Sequence, residues 1–153
     1  MTDAKTDDER FMRMALDQAE QAGERGEVPV GAVIVANGQV IGRAHNLCER
    51  LHDFTAHAEM QAFTAASEFL GGKHLDRCTL YVTLEPCPMC AGAAFWTRIG
   101  RIVYGADDLK RGASRFQDDS NKGLIHPKTE VVSGVLADES AAILKAFFSA
   151  KRS

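Results

Sequence analysis

Leu80-Tyr81-Val82-Thr83-Leu84, then Pro88 to Thr97, then Ile102-Val103-Tyr104-Gly105: the reading of this stretch decides the fold. The outer segments are short and rich in β-branched and aromatic residues, and they read as strands. The middle segment opens on proline, whose missing N–H costs nothing at a first helical position. Strand, helix and strand within so short a span predict a parallel pair joined by a right-handed crossover.

Upstream, Val30 to Ala36 and Gln39 to Gly42 flank Asn37-Gly38, the strongest short-range hairpin signal. Before it, Thr6 and Glu9 have capping-box spacing, and Phe11, Met14, Ala15, Ala19 and Ala22 form an apolar stripe that ends at Gly23 and Gly26. A second helix is expected from about His57 to Leu70, with Ala62, Phe63, Ala66 and Leu70 on its apolar face and Gly71-Gly72 closing it. Residues 106 to 127 have weak periodicity, and a loop of that length in a compact domain is usually functional. Glu130-Val131-Val132 is a candidate last strand, and Asp138 to Lys151 a last helix with Ile143, Leu144, Phe147 and Phe148 inward. The sum is a three-layer α/β/α domain with a central mixed sheet of about five strands.

The 153 residues suffice for one domain, 1–153, and show no repeat or linker. No apolar run approaches a membrane span. The start, Thr2-Asp3-Ala4-Lys5-Thr6-Asp7-Asp8, is polar where a signal peptide needs a hydrophobic segment, so a cytoplasmic address is expected. A net charge of −3 does not mark a nucleic-acid binder, and any RNA contact must use a local patch. Lys110, Arg111, Arg115, Lys122 and Lys128, in and beside the long loop, are the candidates, against the plainer reading of a solvated loop.

The chemistry lies in Thr55-Ala56-His57-Ala58-Glu59 and Pro86-Cys87-Pro88-Met89-Cys90. One imidazole and two thiolates, His57, Cys87 and Cys90, suit Zn²⁺ and leave its fourth position open for water. The cysteines stand at a helix N-terminus, whose partial positive charge favours thiolates. His57 and Glu59, two apart, diverge by roughly 200° inside a regular helix. They converge only if the helix begins at or just before Ala58, which sets the metal site between two helix N-termini. Glu59 falls on the apolar face, where a carboxylate is costly unless paired or functional, and it is the candidate to move protons. A bare Cys-x-x-Cys also serves zinc knuckles and redox pairs, but with His-x-Glu upstream and Pro-Cys-x-x-Cys downstream the pattern is that of zinc nucleobase deaminases. A non-enzymatic zinc module would leave Glu59 without a purpose. Cys48 reads as a loop thiol and Cys78 as a small packing residue, while His45, His52, His74 and His126 read as surface or capping residues. Trp96 reads as core or interface.

With these motifs in hand the chain resembles the bacterial tRNA-specific adenosine deaminases of the cytidine deaminase-like fold. Glu27-Val28-Pro29-Val30-Gly31-Ala32-Val33, Thr79 to Cys87, Arg98-Ile99-Gly100-Arg101, Gly105-Ala106 with Asp108, and Gly134 to Glu139 carry the likeness. The resemblance implies a homodimer, without organic cofactor, that binds a tRNA anticodon stem-loop and turns its wobble adenosine into inosine. It assigns His57, Cys87 and Cys90 to zinc, Glu59 to proton transfer, and Asn46 to the flipped base. It also places Val28 and Pro29 in the pocket wall and Asp108 at the neighbouring nucleotide. The chain departs from the family at Phe54, where proline is frequent, and it stops at Lys151-Arg152-Ser153 where a basic extension is frequent. The alternative is a free-base deaminase, guanine first and then cytosine.

Overall fold

The computed structural model describes residues 4–116 and 123–152. The hairpin signal is realised. Asn37 (φ 51°) and Gly38 (φ 75°) are both left-handed, as a two-residue turn between twisted strands requires. The turn joins β1 (Gly31–Ala36) to β2 (Gln39–His45), with Ala36 opposite Gln39. The remaining strands are β3 (Cys78–Leu84), β4 (Arg101–Ala106) and β5 (Glu130–Val132), and the sheet order is β2-β1-β3-β4-β5. β1 is antiparallel to β2 and β3, whereas β3, β4 and β5 run parallel. The crossover from β3 to β4 is the expected helix, Pro88–Thr97.

Helices lie on both faces because the strands alternate. They are α1 (Ala4–Glu24), α2 (Cys48–Leu51), α3 (Ala58–Leu70), α4 (Pro88–Thr97) and α5 (Ala137–Arg152). Ala32, Ile34, Leu80, Val82 and Ile102 point to α3 and α4, where Ala62, Phe63, Ala66 and Ala94 meet them. Val33, Val35, Tyr81 and Val103 point the other way, onto Phe11, Met12, Ala15 and Leu16 of α1, with Ile143 of α5 beside them. Contact with α1 is close: a Cβ on Gly31 would strike the backbone of Ala15 and Ala19. The three layers and the five-stranded mixed sheet are as expected. Among the described residues no helix is long and apolar enough to cross a membrane.

Several local expectations are corrected. Thr6 is not a cap, since α1 already runs from Ala4. The buried stripe of α1 uses Met12 and Leu16, with Met14 at its edge, because a helical face of this width takes both i+3 and i+4 neighbours. Leu70 is exposed in the last turn of α3. Phe147 and Phe148 cannot both face the sheet, as adjacent helical residues are about 100° apart. Phe147 is half-buried under Lys151 Nζ, and Phe148 faces outward. The short helix α2 had no sequence signal. His45 is buried, with its ring bonded to the Asn46 carbonyl (2.9 Å) and to Arg25 Nη1 (3.0 Å).

Candidate active site

Two helix starts face one another beyond the carboxyl end of β3. His57 is the residue before α3 (φ −72°, ψ 155°) and Cys87 the residue before α4 (φ −74°, ψ 170°), and both are extended. Extended backbone at His57 turns its ring away from the helical spiral, so that it converges with Glu59. Pro88 occupies the first turn of α4. Cys90, one turn in, brings its sulfur beside that of Cys87.

His57 Nδ1 lies 3.6 Å from Cys87 Sγ and 3.5 Å from Cys90 Sγ. All three donor atoms fall within 4.8 Å of one another. Ligands at the Zn–N and Zn–S distances of a tetrahedral centre stand about 3.5–3.6 Å apart, so the donor set fits zinc in chemistry and in spacing. Of the thiols Cys87 is the acidic one. A hydrogen bond from the Cys90 thiol, aided by His57, pulls it down to about 4. Cys90 is pushed far up by donating to Cys87 and by burial. Hydrogen bonding to Cys87 raises His57. Among the described residues no other group of histidines, cysteines and carboxylates converges this way. Cys48 opens α2 outside the cluster, and Cys78 is buried in the core as a packing residue.

Glu59 is 4% exposed. Burial pushes its carboxyl up to about 7, against the pull of its own backbone N–H and of His57. Among the described residues no lysine or arginine forms an ion pair with it. It lines a cleft of about 580 Å³ together with His57, Cys87, Val28, Asn46 and Asp108. Pro29 is fully buried, outside that lining, so it supports Val28 rather than forming wall. Asn46 links the walls: its Oδ1 accepts from Ala58 N–H (2.8 Å) and its Nδ2 donates to the Val28 carbonyl (3.0 Å). An amide has two donors and two lone pairs, so each end keeps one for a ligand. Asp108 caps its own turn, with Oδ1 accepting from Lys110 and Arg111 N–H.

Glu85 and Glu27 carry weight that sequence reasoning missed. Buried Glu85 accepts from Asp108 N–H, from Ser114 N–H and from the Ser114 hydroxyl (2.6 Å), and so pins the loop that supplies Asp108, Arg111 and Phe116 to the cleft. Gly112 leaves room for it, since a Cβ there would collide with the Glu85 carboxylate. Buried Glu27 accepts from Glu49 and Arg50 N–H (both 2.9 Å) at the start of α2. The available signal was a glutamate abutting an apolar strand at each place. Of the loop bases, Arg111 lines the cleft, Lys110, Arg115 and Lys128 are exposed, and Lys122 lies outside the described residues.

Residues 6–152 match the family model of MafB19-like deaminases. The chain is 48% identical over 144 residues to the tRNA-specific adenosine deaminase of Bacillus subtilis (strain 168), covering 94% of this chain and 89% of that protein. A solved structure from work on A-to-I editing by tRNA:A34 deaminases at the wobble position superposes with a TM-score of 0.80 at 46% identity, over 88% of this chain and 99% of that one. A guanine deaminase structure from Bacillus subtilis gives a TM-score of 0.63 at 39% identity, covering 73% of this chain and 71% of that one.

Proposed function

The chain belongs to the MafB19-like deaminase family, and on that premise we propose that it is a zinc-dependent hydrolase converting the wobble adenosine of a tRNA anticodon to inosine, with release of ammonia. The observation that carries the reading is the cluster of His57, Cys87 and Cys90 beside a buried Glu59 that, among the described residues, forms no ion pair with a lysine or arginine. The tRNA-specific relatives supply the substrate class. Residues 1–153 then form a single deaminase domain with one zinc per chain, cytoplasmic and without organic cofactor.

His57 Nδ1 and the two sulfurs would hold the zinc. When bound, it supplies a water acidified toward neutral pH. Glu59 takes a proton from the attacking water as its oxygen bonds to C6 of the base. It passes that proton to ring N1, then takes the proton remaining on the oxygen added at C6 and hands it to the amine; the C6=O bond forms as the C6–N6 bond breaks, and ammonia leaves. Overall, one water and one adenosine give one inosine and one ammonia. Asn46 holds the base edge with its remaining donor and acceptor. Val28 walls the pocket, Pro29 supports it, and Asp108 meets the neighbouring nucleotide. Arg111 and the other loop bases contact phosphate. The assembly is a homodimer, and Trp96, 80% exposed beside Phe95 on α4, is apolar surface that it would cover.

Zinc-loaded protein offered an anticodon stem-loop with adenosine at the wobble position, and separately guanine, cytosine and adenosine, tests the reading. Inosine in the stem-loop and no free-base turnover is the expected result. Guanine turnover without stem-loop turnover would select the second reading, which the guanine deaminase likeness favours. Stem-loop binding weakens steeply with salt if the loop bases meet phosphate.

A further inference from the structure

Phe54 is 92% exposed on the lip of the cleft that holds His57, Glu59 and Cys87. An isolated exposed apolar residue needs no explanation, but an aromatic ring left in water on the lip of a largely apolar cleft does. The backbone does not ask for it. Phe54 is the second residue of the turn Asp53–Ala56, closed by Ala56 N–H to the Asp53 carbonyl (3.1 Å). Asp53 Oδ1 accepts from Thr55 N–H (2.8 Å) and from the Thr55 hydroxyl (2.7 Å), and Asp53 N–H reaches the Cys48 carbonyl (3.0 Å). Proline suits that turn position best, since it presets φ. The turn thus holds a ring it does not need, on a support tied at several points. Val28 and Phe116 add half-exposed apolar surface to the same cleft.

The cleft holds the donor cluster's His57 and Cys87 and the buried Glu59, and an enzyme working on an extruded base leaves that base's neighbours outside the pocket. Every base offers a π-face, and an exposed aromatic ring is the side chain that reads it. We propose that Phe54 is a stacking platform for the base next to the one being deaminated, so that the site selects a single-stranded loop. The proposal rests on the RNA reading above.

The test measures kcat and KM on the anticodon stem-loop for the wild type and for Phe54→Ala, Phe54→Pro and Phe54→Trp. Each is assayed with the nucleotides flanking the target intact, or made abasic singly and together. Phe54→Pro keeps the turn while removing the ring, so it controls for folding. Loss of the ring lowers kcat/KM about 5- to 150-fold, the range for one stacked base, and the loss resides in KM. Phe54→Trp retains wild-type behaviour. The loss vanishes when one particular neighbour is abasic, because the ring then has nothing to stack on. Losses that simply multiply with both abasic substitutions would overturn the proposal. So would a Phe54→Ala protein whose mass in solution changes and whose turnover falls equally on every substrate, which would make the ring a subunit contact. A wild type that leaves the intact stem-loop untouched strikes the RNA reading itself.

Discussion

Two carboxylates are buried at different places in this molecule, and their surroundings have opposite effects. Asp8 of α1 reaches Arg101 through two bonds of 2.7 Å and accepts from the Tyr81 hydroxyl at 2.8 Å. Burial alone would raise its carboxyl, but the bonds from Arg101 and Tyr81 outweigh it and hold Asp8 below the usual range. Glu59, in the cleft, has no such cation among the described residues, and burial takes it up to about 7. A satisfied buried charge ties α1 to the sheet. One whose charge is left costly is poised to take and release a proton. The contrast predicts that removing Glu59 destroys turnover and spares stability, while removing Asp8 does the reverse.

The largest effect belongs to Glu59→Gln. Turnover on the stem-loop falls about 10³-fold or more, with zinc content and melting temperature held at wild-type values. A variant that loses zinc as well would make Glu59 part of the metal site and blur the contrast. Next comes Cys87→Ala, which leaves two protein ligands. Metal analysis finds the zinc lost, and the stabilisation given by added zinc, about 4 kcal/mol at a thousand-fold excess over Kd, disappears in thermal unfolding.

Asp8→Asn sharpens the other half. Unfolding free energy drops by about 1–3 kcal/mol, since Arg101 is left half-buried with only the exposed Glu130 carboxylate, 3.4 Å away, for a charge partner, and turnover changes little. The sign of the pH dependence follows from the lowered carboxyl. Its contribution is present above its ordinary value of 3.8 and is lost as pH falls through the lower folded-state value. Denaturant titrations therefore show the gap between wild type and Asp8→Asn narrowing as the pH falls below 3.8. Curves that stay parallel would remove Asp8 from the acid limb. Glu85→Gln has the smallest effect. It weakens bonds to the Asp108 and Ser114 backbone, costs about 1–2 kcal/mol, and raises KM more than it lowers kcat.

The layers were legible because their signals are local. Asn37-Gly38 dictates a hairpin, and the segments around Pro88 to Thr97 dictate a parallel crossover. The convergence of His57, Cys87 and Cys90 was legible for another reason. The divergence of His57 and Glu59 inside a helix has one resolution, and α3 begins at Ala58 accordingly. Glu85 and Glu27 escaped because their partners are backbone N–H groups 22 to 29 residues away, which leave no mark on side-chain pattern. His45 escaped because its ring partner is the Arg25 side chain, 20 residues away. Phe54 was visible only as a departure at one position, and its place on the lip emerged from the turn that holds it.

The most direct measurement is isotopic. Zinc-loaded protein and the stem-loop are incubated in ¹⁸O-labelled water, and the wobble nucleoside is analysed by mass spectrometry alongside released ammonia. The account predicts one ¹⁸O at position 6 of each inosine and one ammonia per inosine, with neither product when Glu59→Gln replaces the wild type. Inosine without the label, or an unaltered adenosine under an occupied metal site, would contradict it.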